Sequence, residues 1–497
     1  MLMKLMYKLF SISITLLLAV PIGISTNKIE ISDEELNIVT INIAQYPRYA
    51  GCDETFDVIF HYVWESNNTI YKFNCTELTL EEVMGCGKRP LSNKNFDLLV
   101  VGASFDSFYR DAKDPKIQEN IKEFLVNGGG YIGVCAGTVF ATQGYKTPNR
   151  IYKKFMNQRV LKIADVYINC DLYGEAQYEF KLGGNIGINQ GLLPIEKRVV
   201  RNNSIPVFLE YSSDVINITY GGGPGMYVAN ASDPNLGEIT PLLIINEELM
   251  QTKPVHWFRK GLLPGWVPFK KVKTDIEGQY GAIATKYGEG RVVIFTSHPE
   301  IQLILNGTIK EYIGRSTGYG IKFPFPRAVF SWTGTPMNMS YNWWIHRRTA
   351  AWIAGVSDED LPPCNELMAF VDKPQFRFGF HEFYFEGEGL IYGYGDEEYY
   401  NNSSSISKPS YETAKQIVDW VGMTVVAGNI TVDGYAENSD RMEFYVDNVL
   451  QYTDTKQPFE WTLNNGNLSG FHTLEVRSYD EYDNYAFDGS EFFFINI

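Results

Sequence analysis

The chain has 497 residues, 44% of them hydrophobic and 21% charged, with a formal net charge of −16. These are globular proportions over a length that exceeds one usual core, so two folded units with connecting segments are expected. The negative balance opposes affinity for nucleic-acid phosphates, and no Lys/Arg cluster is dense enough to reverse it locally, which excludes nucleic acid as a partner.

Residues 1–26 place Lys4 and Lys8 ahead of an apolar stretch from Leu9 to Ile24 and end in small residues near Ser25. That is the layout of a signal peptide. An uncleaved N-terminal anchor is the alternative, although the stretch is short for a span. Either way the remainder is expected outside the cytoplasm. Asn-x-Ser/Thr sites recur between Asn67 and Asn467, in keeping with a glycosylated, exported surface. The cysteines are Cys52, Cys75, Cys86, Cys135, Cys170 and Cys364, and their spacing matches no zinc pattern. No metal or other cofactor is expected. Export permits disulfides, and if Cys135 is a free nucleophile at most two bridges can form.

A strand is expected over 37–45, then a helix over 53–67, a strand TIYKFNC and a helix LTLEEVMG. The continuous apolar run FDLLVVGA (96–103) reads as a buried parallel strand, and the helical pattern 115–130 closes with glycines before YIGVCAG begins the next strand. Strands alternating with helices predict an α/β layered domain. Residues 151–300 are richer in strands. Residues 339–356 restore a helical stripe of Trp343, Ile345, Ala350, Trp352 and Ile353, read as the last helix of a domain over 34–368. The tryptophans there are assigned to core packing rather than to a ligand cage. Residues 369–410 read as a linker. From 411 to 497 short strands separated by turns predict an Ig-like β-sandwich, similar to modules appended to many exported prokaryotic proteins, and no chemistry is visible in it.

The string GGGYIGVCAGTVFATQG (128–144) carries the most chemistry. Cys135 follows a strand and precedes a helix, flanked by Gly133 and Gly137, the Gly-x-Cys-x-Gly form of a nucleophile elbow. A helix N-terminus there favours thiolate over thiol, and the Ala136 backbone N–H can face a developing oxyanion. The segment GEGRVVIFTSHPE supplies the base: a strand, then His298 and Glu300, spaced so that the imidazole faces the cysteine and the carboxylate orients it from behind.

FDLLVVGASFDSFYRD, the elbow string, ITYGGGP (218–224) and GRVVIFTSHPE occur in order, and together they resemble the N-terminal domain of biotin–protein ligases, within the class I glutamine-amidotransferase-like superfamily. The resemblance covers roughly residues 36–365. It implies a doubly wound, mostly parallel sheet, a Cys135-His298-Glu300 triad and a second oxyanion donor at the Gly102–Ala103 turn. Two departures stand out. Where glutamine-hydrolysing members carry Gln, four residues after the nucleophile, this chain has Val139, and the Pro-Gly-Gly turn of the family is Val101-Gly102-Ala103 here. The resemblance does not extend to the ligase's catalytic portion, so no ligase activity is expected.

Gly221, Gly222 and Gly223 either form an anion-binding nest at the substrate or a turn between strands. His61, His256, His346, His381 and His472 lack metal-ligand spacing and receive no role. Two functions are therefore carried forward. One is an exported cysteine-dependent hydrolase or acyl transferase acting on an amide or peptide bond of a small-molecule or peptide substrate. The other is a non-catalytic surface binding protein on the same fold. In both, the Ig-like domain is the expected contact with a cell surface or envelope.

Overall fold

The computed structural model describes residues 37–46, 53–102, 111–146, 151–168, 191–197, 205–220, 225–246, 257–259, 266–268, 277–301, 303–304, 308–316, 322–333, 339–340, 342–364, 367–373, 381–385, 388–392, 409–421, 424–463 and 468–496. The chain divides into units Met1–Asn37 and Ile38–Ile497. The elements below belong to the second, which the first strand enters after its opening residue.

In chain order the first elements are β1 (Asn37–Gln45), α1 (Asp53–Ile59), β2 (Val63–Ser66), β3 (Thr69–Glu77), α2 (Leu80–Val83), β4 (Leu98–Val101), α3 (Pro115–Val126), β5 (Gly130–Val134), α4 (Ala136–Ala141) and α5 (Ile151–Asn157). Strands then dominate: β6 (Val166–Ile168), β7 (Gly191–Lys197), β8 (Val215–Tyr220), β9 (Met226–Val228), β10 (Thr240–Ile245), the separate pair β11 (Trp257–Arg259) and β12 (Trp266–Pro268), β13 (Tyr280–Tyr287) and β14 (Gly290–Phe295).

Twelve of these strands form one sheet in the order β2, β3, β1, β4, β5, β14, β13, β10, β7, β8, with β6 and β9 attached through β13. β1, β4, β5 and β14 run parallel to one another, while β13, β10, β7 and β8 follow antiparallel. The sheet is thus mixed rather than mostly parallel. Among the described residues between 166 and 295 no helix stands between the strands, whereas parallel pairing requires crossover connections.

Alternation along the parallel strands divides the core. Leu98, Val100, Ile132, Val134, Val293 and Phe295 face Phe56 and Ile59 of α1 and the helix at 343–353. Leu99, Val101, Tyr131, Val292 and Ile294 face Ile117, Ile121, Phe124 and Leu125 of α3 and Phe140 of α4. Both faces of the central strands are therefore covered, which is why they read as unbroken apolar runs. Each such side chain taken fully out of water contributes about 1.5–3 kcal/mol. α3 starts at an Asp114 cap that accepts from the Lys116 N–H, with Pro115 at its first position, and ends before Gly128 at φ 98°.

The helix expected over 53–67 stops at Ile59. Val63–Ser66 instead pairs with Thr69–Glu77 across Asn67 and Asn68, whose φ values of 46° and 60° make a two-residue hairpin turn.

Beyond the sheet come β15 (Leu303–Ile304), the hairpin β16 (Thr308–Ser316) and β17 (Lys322–Thr333), β18 (Met339–Ser340) and α6 (Trp343–Ile353). α6 does not show one apolar stripe with a wet reverse: every residue in it is buried, including His346, Arg347 and Arg348. The charged heads are satisfied in place. Arg347 Nε donates to Ile59 O, and Arg348 reaches Val207 O, Pro362 O, Pro206 O and Glu210.

Among its described residues the C-terminal region is all-β apart from one helix. Its elements are β19 (Phe370–Lys373), β20 (His381–Phe385), β21 (Glu388–Tyr392), α7 (Tyr411–Val421), β22 (Thr424–Ala427), β23 (Ile430–Tyr435), β24 (Arg441–Val446), β25 (Val449–Asp454), β26 (Phe459–Leu463), β27 (Gly470–Tyr479) and β28 (Tyr485–Ile495). They make a seven-stranded sheet in the order β21, β20, β22, β28, β27, β24, β25 and a three-stranded sheet in the order β19, β23, β26. β19, β20 and β21 fall inside the stretch expected as a linker, and residues 411–421, expected to open the sandwich, are helical. This region also meets the first sheet. Asn484, 2% exposed, accepts from Val63 N at 2.7 Å and donates to Val63 O at 2.8 Å, capping an otherwise open strand edge.

Candidate active site

The site sits where the parallel strands β5 and β14 end. At Val134 the chain leaves β5, and Cys135 adopts φ 50°, ψ −100° before α4 begins at Ala136. A side-chain-bearing residue at positive φ is strained by about 1–3 kcal/mol and persists only where its surroundings impose it. Here they do. Cys135 N donates to Phe295 O of β14 at 2.9 Å, and Cys135 O accepts from Val139 N at 3.1 Å. Thr138 Oγ1 lies 2.5 Å from Phe295 O and 3.1 Å from Gly133 O, and the Tyr131 hydroxyl donates to Gly137 O at 2.8 Å.

The flanking glycines are required by space. A Cβ on Gly137 would stand 2.0 Å from Val101 O, and one on Gly133 would stand 2.8 Å from the Gly137 carbonyl group. Gly102, at the end of β4, leaves room for the Phe56 ring, 2.9 Å from where its Cβ would be. Ala136 and Val139 are buried, and Cys135 itself is half-buried. Ala103, Gly221, Gly222 and Gly223 lie outside the described residues.

β14 ends at Phe295, beside Cys135, and delivers His298 and Glu300 three and five residues on. His298 Nδ1 and Glu300 Oε1 are 2.7 Å apart, with both side chains buried. Cys135 stands near enough to His298 to act on its imidazole. Burial opposes a charge on His298, but the Glu300 carboxylate and the Cys135 sulfur outweigh it and raise the imidazole well above its ordinary value. For Glu300, burial acts upward while the charge and hydrogen bond of His298, with His346, act downward more strongly and bring it to about 2. Cys135, His298 and Glu300 are thus brought together in that order.

Two residues of α6 complete the surroundings: Trp343, expected only to pack the core, and His346, which receives no role from the sequence. Trp343 Nε1 donates to Glu300 O at 2.9 Å, and His346 Nε2 lies 3.5 Å from Glu300 Oε2. The one sequence signal for this is a histidine within the helical stripe of 339–356, which alone names no partner; the partner lies in a loop some 46 positions earlier, which helical periodicity does not reach. Among the described residues no three His, Cys, Asp or Glu side chains converge as a metal-ligand set.

Residues 88–233 match the family described as biotin-protein ligase, N terminal, and residues 421–476 match the bacterial Ig domain. The first match contains Cys135 and ends before His298. No curated protein matches the chain. Among solved structures, fibronectin(III)-like modules of Clostridium thermocellum CbhA share 24% identity over 14% of this chain and 84% of theirs, at a TM-score of 0.14. A Jonesia denitrificans lytic polysaccharide monooxygenase shares 17% over 21% of this chain and 86% of its own, at 0.13. A beta-galactosidase from Rahnella sp. R3 shares 7% over 52% of this chain and 29% of its own, at 0.25. Scores of this size carry no argument about fold or activity. By its two family matches, the chain combines a biotin-protein ligase N-terminal type of region, holding Cys135, with a C-terminal bacterial Ig domain.

Proposed function

We propose that this protein is an exported cysteine-dependent hydrolase or acyl transferase acting on an amide or peptide bond, with Cys135 as nucleophile, His298 as acid and base, and Glu300 as the carboxylate that orients it. The reading takes residues 34–368 as a doubly wound amidotransferase-like domain and 411–497 as the Ig-like module. The observation that carries it is the strained Cys135 backbone beside a buried His298–Glu300 pair. Strain retained at a turn that exposes sulfur is understandable where that sulfur reacts.

The chemistry runs in two halves. The Cys135 sulfur attacks the carbonyl carbon, a C–S bond forms, and the carbonyl electrons move to oxygen, where the Ala136 N–H and a donor at Gly102–Ala103 receive the charge. Collapse breaks the C–N bond as His298 gives its proton to the leaving amine. In the second half, His298 takes a proton from water or another acceptor nucleophile, which attacks the thioester, and Cys135 leaves. Glu300 holds the ring in one tautomer and stabilises the imidazolium throughout. Val139 in place of a glutamine-site Gln separates this reading from ammonia transfer.

Export is supported by the leader at 1–26 and by the Ig domain, a module often found in extracellular or surface proteins. Asn67, Asn74, Asn217, Asn230 and Asn429, the sequon residues within the described segments, are all exposed.

The test incubates the protein, Cys135→Ala and His298→Ala with a panel of amides and peptides, reading amine release and intact mass. Amine release with an acyl adduct on Cys135, absent from Cys135→Ala, supports the proposal. Equal release by Cys135→Ala contradicts it, and a compound bound but returned unchanged by all three proteins assigns the fold to binding.

A further inference from the structure

A buried carboxylate is costly unless both of its oxygens are engaged, because desolvation removes several kcal/mol of hydration per ion. Glu300 is 1% exposed, and its Oε1 is committed to His298. On the opposite side stands His346, fully buried, with Nε2 3.5 Å from Oε2. The ring of His346 is fixed between two aromatic edges, Phe56 at 5.5 Å and 65° and Phe295 at 5.5 Å and 76° between ring centroids and planes. Neither ring nitrogen of His346 completes a hydrogen bond among the described residues, so its polar engagement is the 3.5 Å ion-pair contact of Nε2 with the carboxylate. Hydrogen bonds around an empty active site are often long and tighten when substrate is held.

The same helix grips Glu300 twice. Trp343 and His346 are three residues apart on α6 and so share a face. One donates to the backbone carbonyl of Glu300, and the other approaches its carboxylate. Two attachments from one rigid element fix both the position of the loop after β14 and the rotamer of the side chain, which is what a carboxylate must have to present a single oxygen to His298.

We infer that His346 is a positioning residue for the reactive site, a fourth member that holds Glu300 Oε2 so that Oε1 stays on His298. This rests on the reading of Cys135, His298 and Glu300 as nucleophile, base and orienting carboxylate. No role for His346 in contacting substrate is implied, since it is fully buried and approaches the Glu300 oxygen that His298 does not use.

The experiment needs no substrate. Iodoacetamide labelling near pH 6 is followed by peptide mass mapping, and the rate at Cys135 is divided by the rate at the exposed Cys86 of the same molecule. His346→Phe keeps the aromatic volume between Phe56 and Phe295 but removes the ring N–H, while His346→Gln restores an N–H at similar reach. Each is made in the wild type and in Glu300→Gln. His346→Phe is expected to lower the Cys135 to Cys86 ratio by about tenfold, His346→Gln to retain most of it, and neither to change the ratio further once Glu300 is Gln. Equal losses from Phe and Gln would reduce His346 to packing and overturn the inference. So would a loss of the same size in the Glu300→Gln background, or no loss at all. A wild-type Cys135 no faster than Cys86 would overturn the underlying reading along with this one. Half-buried Cys75, whose thiol burial pushes up to about 12, reports folding in each sample; if His346→Phe makes it reactive, the His346→Gln pair decides, a retained ratio supporting the inference and a lost one contradicting it.

Discussion

Glu300 Oε1 stands 2.7 Å from His298 Nδ1, and the two side chains are closed off from solvent. Buried and charged, the pair links site geometry to stability through pH. Glu300 falls to about 2 from an ordinary 4.5, so its contribution is present above pH 4.5 and is lost as pH drops toward 2. His298 rises well above 6.5, so its contribution is complete below pH 6.5 and is lost as pH climbs through the raised value. The difference in unfolding free energy between wild type and Glu300→Gln is therefore expected to be largest between pH 4.5 and 6.5 and to shrink on both sides. Urea titrations across that range measure it, and a difference flat with pH would contradict the pairing.

Gly137→Ala places a methyl where the Val101 carbonyl oxygen already stands, 2.0 Å away, and backbone cannot yield as a flexible side chain can. The substitution is expected to cost about 1–3 kcal/mol and to displace the elbow. Chemical denaturation reads the first effect, and loss of the preferential labelling of Cys135 reads the second. A variant of wild-type stability would show that the turn accommodates a side chain.

Much of the site was legible because it is local. Gly133, Cys135 and Gly137 lie within five residues, and His298 and Glu300 within three, so their spacing shows the elbow and the dyad directly. What stayed hidden depends on contacts distant in sequence. His346 acquires meaning only when α6 crosses the end of β14, and Asn484 only when a loop of the last sheet reaches the edge strand β2. The hairpin at Asn67–Asn68 was obscured because VWES carries apolar residues at a spacing that serves either a helix or a strand, and the positive φ at both asparagines settled it. The full burial of α6 is likewise a tertiary effect: the stripe of Trp343, Ile345, Ala350, Trp352 and Ile353 leaves out Arg347 and Arg348, whose heads are received by the carbonyls of Ile59, Val207 and Pro362.

Cys75 and Cys86 should differ sharply toward thiol reagents. Burial first, then the charges of Asp57 and Glu77, push the Cys75 thiol up to about 12, whereas Cys86 is exposed. In the folded protein near pH 8, Cys86 is expected to label while Cys75 stays unmodified until denaturant is added. Comparable labelling of both without denaturant would mean that β3 opens readily.

Asn484→Leu removes an amide that satisfies both the N–H and the C=O of Val63. Leaving two backbone groups unpaired at a buried contact is expected to cost about 2–4 kcal/mol. Calorimetry would read it as a lower transition temperature, and an unchanged transition would show that water replaces the amide at no loss.

The central claim, that His298 activates Cys135, is tested most directly by competition within one molecule. Wild type and His298→Ala are treated with limiting iodoacetamide near pH 6, and the order in which Cys135 and Cys86 are alkylated is read by peptide mass mapping. Cys135 is expected to react first in the wild type, by about tenfold or more, and to fall behind the exposed Cys86 in His298→Ala. Alkylation of Cys86 ahead of Cys135 in the wild type, or an order that His298→Ala leaves unchanged, would contradict it.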